Sequence, residues 1–100
     1  MTEQSLQNTI RLFLSKKGFI NFRCNVGKVR LKDGRWFDTG LPRGHSDIVA
    51  YKNGKAYFIE VKVGNNKASQ EQINFIKVMK ENGCTAGIVY CLEDVKNLLK

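Results

Sequence analysis

These 100 residues include one proline, one histidine and one tryptophan. They contain no apolar run of the roughly 18 to 20 residues that a bilayer span requires. No membrane partner is therefore expected. The first residues, Met1, Thr2, Glu3 and Gln4, lack the charged-then-apolar layout of a signal peptide. A cytoplasmic location follows as an expectation. Cys24, Cys84 and Cys91 are an odd number with no C-x-x-C spacing, and His45 has no partner at zinc-site spacing. A structural zinc site is excluded on that pattern, and the cysteines read as small buried hydrophobes in a reducing compartment. Acidic residues are also scarce: 9 Asp and Glu stand against 17 Lys and Arg, a formal charge of +8. Such an excess concentrates polyanions, nucleic acid foremost, although a solvated basic surface without a partner shares the property.

What is present suffices for one core. With 42% hydrophobic residues and few chain breakers, the sequence offsets its ordering entropy and reads as a single domain over 1–100. Thr2 as N-cap, Leu6, Ile10, Phe13 and Leu14 at helical spacing, and Gly18 as a stop predict a helix over 2–17. A strand is expected over 19–26, followed by a basic hairpin over 29–37 that folds at Asp33-Gly34 and carries Lys28, Arg30, Lys32 and Arg35. Gly40, Pro42 and Gly44 mark a loop over 38–46. Two apolar runs, 47–52 and 55–63, flank Asn53-Gly54, a strong hairpin signal. A helix over 69–82 with Ile73, Ile76 and Met79 on one face, a strand over 85–90 and a helix over 93–100 complete the chain. The expected class is α/β, a mixed sheet flanked by helices in the order α-β-β-β-β-β-α-β-α.

The Asn53-Gly54 turn fixes a register. Lys52 opposes Lys55, so Asp47 opposes Glu60 on one face, with Cβ atoms about 4.5–5.5 Å apart. Lys62 points the same way, and His45 would face it if pairing continued. Ile48, Ala50, Tyr57, Ile59, Val61 and Val63 form the other, core-facing side, which leaves the carboxylates towards a cleft or solvent. Asp, Glu and Lys sharing a strand face are most often a solvated salt bridge. Directly opposed carboxylates repel, however, and call for a cation. Hard oxygen donors with room for water and a phosphate oxygen suit Mg²⁺ or Mn²⁺, and an adjacent lysine can stabilise developing negative charge.

Three segments then carry a more specific signal: Gly44-His45-Ser46-Asp47-Ile48-Val49, Phe58-Ile59-Glu60-Val61-Lys62, and Ser69-Gln70-Glu71-Gln72-Ile73-Asn74-Phe75, with Gly83 closing the helix. In order and spacing they resemble the VRR-NUC family, the virus-type replication-repair nucleases of the PD-(D/E)xK superfamily, whose fold is restriction-endonuclease-like. The resemblance spans nearly the whole chain. It implies Asp47 and Glu60 as metal ligands, Lys62 as catalytic lysine, Gln72 as a supporting active-site residue, and Glu3 as an acidic ligand from the first helix. Ser46 replaces the superfamily's proline before the aspartate, and Gln70 stands at the family's other usual proline. Ser69 and Gln72 also spell a capping box, and Glu3 also suits a helix first turn, so structural roles stay open for both.

The resemblance implies a Mg²⁺- or Mn²⁺-dependent endonuclease of viral or prophage origin, then resident in the host cytoplasm, selective for branched DNA such as four-way (Holliday) junctions. Two-strand cleavage of a junction favours a homodimer. Lys28, Arg30, Lys32, Arg35 and Arg43 would contact flanking phosphates on branched or duplex DNA, with His45 as a further loop or phosphate contact. Competing readings are a non-catalytic nucleic-acid-binding module and an RNase or restriction-type nuclease using the same centre.

Overall fold

The computed structural model describes all 100 residues, in the order α1 (Glu3–Lys16), β1 (Ile20–Arg23), β2 (Lys28–Arg30), β3 (Trp36–Asp38), β4 (Ile48–Lys52), β5 (Lys55–Val61), α2 (Gln70–Glu81), β6 (Thr85–Val89) and α3 (Leu92–Leu98). This is the predicted α/β order. β1, β4, β5 and β6 form one mixed sheet in that spatial order, antiparallel except for the parallel β5–β6 pair that α2 connects. β2 and β3 pair only with each other.

The β4–β5 register is the expected one. Lys52 pairs with Lys55 and Ile48 with Ile59 across a turn in which Asn53 and Gly54 both take positive φ, as a type I′ turn requires. One face of the sheet supplies Ile48, Ala50, Ile59, Val61 and Val89, which close on Leu6, Ile10 and Leu14 of α1 and Val95 of α3. Thr2 caps α1 by accepting from the Ser5 amide, and Gly18 ends it at φ +86°.

The opposite face differs from expectation. It is covered over β5 and β6 by α2, through Phe58 against Phe75 with ring centroids 5.6 Å apart and through buried Ile76 and Ala86. Ile73, expected inward, is 45% exposed; the inward stripe is Gln72, Phe75, Ile76 and Met79. Hydrophobicity favoured Ile73, but helical phase follows the residues that meet the sheet. The cysteines also depart from expectation: Cys91 is exposed at the start of α3, and Cys24 and Cys84 are half-buried. No helix is long and apolar enough to cross a membrane.

Candidate active site

β4 begins at Ile48, one residue after Asp47, yet Asp47 keeps its place beside β5. Its backbone carbonyl accepts from the Cys24 amide at 2.7 Å, extending the β1 ladder, and its Oδ2 accepts from the Val61 amide at 2.9 Å. The carboxylate thereby satisfies a strand-end donor and is held against Glu60. Immediately before it, Ser46 is fully buried and its hydroxyl donates to the Ile48 carbonyl at 3.0 Å. This bond fixes the turn into β4.

Glu60 does not face solvent. It is 1% exposed, a correction to the open cleft expected from strand alternation, because the N-terminal turn of α2 lies over it. Gln72 makes the capping contacts and also touches Glu60. Its Oε1 accepts from the Ser69 amide at 2.9 Å while Ser69 Oγ accepts from the Gln72 amide at 3.2 Å, and its Nε2 donates to Glu60 Oε2 at 3.1 Å. Lys62 Nζ lies 3.7 Å from the same oxygen. Glu60 Oε1 is buried and no donor reaches it, so without a cation the pair can bond to itself only through a proton held between Glu60 and Asp47.

Burial first, then a hydrogen bond and the charge of Asp47, push the Glu60 carboxyl up to about 8. The Lys62 charge opposes this shift and is outweighed. Two adjacent oxygen-donor groups, one holding an orphaned buried oxygen, fit a hard divalent cation that completes its shell with water and phosphate oxygens.

The remaining expected residues divide. Glu3 is near enough for its charge to raise Glu60 further, but its Oε2 accepts from Asn66 Nδ2 at 2.9 Å. No third His, Cys, Asp or Glu side chain joins the pair in a ligand cluster; Glu3 stands as a neighbour of the centre, held by Asn66. His45 does not face Lys62. Its ring packs against Phe75 and Phe58 at 4.6 and 6.0 Å between centroids, with Nδ1 2.8 Å from the Ser46 carbonyl oxygen, because the ladder stops short of the Lys62 pairing. Arg35 and Arg43 are engaged by Asp33 at 2.7 Å and Glu71 at 3.8 Å, whereas Lys28, Arg30 and Lys32 have no carboxylate partner.

Residues that patterning missed are Asn66, which holds Glu3 and whose carbonyl accepts from the Tyr90 hydroxyl at 3.0 Å, and Gly44. Gly44 takes φ +88° and a Cβ there would collide with the Glu71 carbonyl, so glycine lets the 38–46 loop close onto the start of α2. A glycine in a turn-rich segment signalled a turn, not this contact.

No protein-family model and no curated protein matches the chain. Among solved structures, the chain is similar to a VRR_NUC domain at 20% identity with a TM-score of 0.70, covering 99% of this chain and 96% of that one. It is also similar to Hjc of Archaeoglobus fulgidus, a Holliday junction resolvase from an archaeal hyperthermophile, at 20% identity with a TM-score of 0.60, over 88% of this chain and 67% of that one. At this identity the likeness establishes the fold, and it is the α/β fold that the three sequence segments implied.

Proposed function

We propose that the protein is a divalent-metal-dependent DNA endonuclease selective for branched substrates such as four-way junctions. One observation carries the reading: Glu60 is buried against Asp47, keeps an oxygen that no donor reaches and has Lys62 at 3.7 Å, in a chain of net charge +8. A surface salt bridge would not hold a carboxyl out of water beside a second carboxyl. The likeness to Hjc, named as a Holliday junction resolvase, supports the choice of branched DNA.

In this mechanism Asp47 and Glu60 would hold Mg²⁺ or Mn²⁺, which when bound supplies charge neutralisation at the scissile phosphate and acidifies water. Gln72 fixes the orientation of Glu60, and the Val61 amide fixes that of Asp47. Lys62 donates towards the phosphate oxygens as negative charge develops on them. Lys28, Arg30 and Lys32 bind flanking phosphates without reading sequence. Paired incisions across a symmetrical junction require two centres, which a two-fold homodimer provides.

The test is a cleavage panel of four-way junction, linear duplex and matched RNA with Mg²⁺, Mn²⁺ or EDTA. Junction cleavage that depends on metal is expected, with Glu60→Ala and Lys62→Ala inactive yet still binding DNA. Wild-type rates in either variant would remove the site assignment, and binding without cleavage under any metal would leave a non-catalytic module.

A further inference from the structure

The β2–β3 hairpin is anomalous in its burial. All six of its strand residues are exposed, including Trp36 at 63% and Phe37 at 56%, and neither strand packs against another element. A two-stranded ribbon with no supporting layer is marginal in water, so leaving its two largest side chains bare needs an explanation. The hairpin is tied at its base by the Thr39 amide and hydroxyl donating to the Gly27 carbonyl at 2.9 and 3.0 Å.

Topology sets where it stands. The chain enters the hairpin after Cys24, whose amide bonds the Asp47 carbonyl, and returns through the 39–46 loop to Asp47 itself. The ribbon therefore springs from the end of the sheet that carries the carboxylate pair. Trp36 and Phe37 are consecutive strand residues and face opposite sides. Arg30 shares the Trp36 side with its guanidinium 5.8 Å from the ring centroid, and Val29 pairs with Phe37 on the other. Lys28, Arg30 and Lys32 lack carboxylate partners.

Aromatic groups on both sides of a thin ribbon cannot be covered by one flat partner surface. Two copies of the hairpin would also bring their unpaired cations together. Opened DNA meets both conditions, because a branch point or unpaired stretch presents base faces on two sides and phosphates along its edges. We propose that this hairpin is a base-stacking wedge for DNA, with Trp36 and Phe37 each stacking on a base exposed at a branch point or in a single strand. The inference rests on the endonuclease reading for the identity of the substrate and names the feature of that substrate which is recognised: unstacked bases, not duplex.

Trp36 is the only tryptophan, so its emission reports the contact directly. Full-length protein in EDTA is titrated with a short oligothymidylate, a four-way junction and a blunt duplex. Strong quenching by the first two and little by the duplex is expected. Trp36→Ala should lower the affinity for oligothymidylate relative to duplex about ten-fold, the worth of one lost base stack, and Trp36→Phe should restore most of that preference. Unchanged emission, or equal quenching by the blunt duplex, overturns the wedge. So does a Trp36→Ala protein that sediments as monomer where the wild type is dimeric and keeps its DNA preference, which would make the hairpin a contact between copies. Metal-dependent junction cleavage without quenching removes the wedge and leaves the nuclease; selective quenching without cleavage supports the wedge and removes the nuclease.

Discussion

Replacing Glu60 by glutamine should stabilise the metal-free protein at pH 8 and leave it unchanged near pH 4.5. The carboxyl titrates at about 8 in the folded chain against an ordinary 4.5, because burial and then Asp47 disfavour its charged form. Between those values the folded state holds a proton that the unfolded chain has released. Its contribution is fully present below about 4.5 and is lost as pH rises through about 8, so the metal-free wild type weakens across that window. One proton over that interval is worth at most about 5 kcal/mol at about 1.4 kcal/mol per pH unit. Asp47 and penetrating water absorb part of this, leaving about 2–3 kcal/mol, a difference in Tm of roughly 10 to 20 °C for a chain of this size.

Glutamine preserves the geometry. Its carbonyl can accept from Gln72 Nε2 and its amide can donate to Asp47, replacing the hydrogen bond that the protonated acid makes. Thermal melts of both proteins in EDTA from pH 4.5 to 9 give the difference curve, in which titrating groups away from the Asp47–Glu60 pair cancel. A difference that is flat with pH would refute the buried, proton-sharing pair and the metal site built on it.

Mg²⁺ or Mn²⁺ should raise Tm in the wild type by the equivalent of about 2.7 kcal/mol at a hundred-fold excess over Kd, and more at pH 8 than at pH 6. Asp47→Asn retains an acceptor for the Val61 amide and should melt at or above the wild type in EDTA while losing most of that metal response. Asp47→Ala strands the amide and should melt lower by about 1–3 kcal/mol in the same scans. Ser69→Ala should cost about 1 kcal/mol through the lost cap and spare cleavage, whereas Gln72→Ala should also lower kcat, measured on a junction substrate, because it frees Glu60. Gly44→Ala should destabilise by about 3 kcal/mol or more in a denaturant titration, since its Cβ meets the Glu71 backbone and its φ is +88°.

The element order and the β4–β5 register were legible because they depend on local signals. Asn53-Gly54 dictates a two-residue turn, and once it is set, every opposed pair down to Asp47 and Glu60 follows from alternation. Burial of Glu60 was not legible, because the residue is hidden by α2, an element 10 residues further on, and alternation says only which face a side chain takes. His45 does not meet Lys62, for a related reason. The ladder ends at Ile48, three residues after His45, and the ring instead meets Phe58 and Phe75, a contact between three separate segments. The hold of Asn66 on Glu3 was not legible either, because helical periodicity in α1 says nothing of a loop after β5.

The capping contacts of Gln72 and its contact with Glu60 are compatible, and the reason is geometric. A capping box fixes the N3 side chain at its Oε1 and leaves the Nε2 end free to donate. Because Gln72 lies in the first turn of α2, that free end projects over the sheet at Glu60. The helix start is thus itself the positioning device, and its placement depends in turn on the 38–46 loop, which closes on Glu71 through Gly44 and fixes Asp47 through Ser46. This same loop is the returning limb of the β2–β3 hairpin. One short segment therefore joins the ribbon with exposed aromatics to both carboxylates, to Asp47 through the chain and to Glu60 through Gly44, Glu71 and Gln72. A displacement of the ribbon that reached Thr39–Ser46 could not leave the geometry of the pair unchanged.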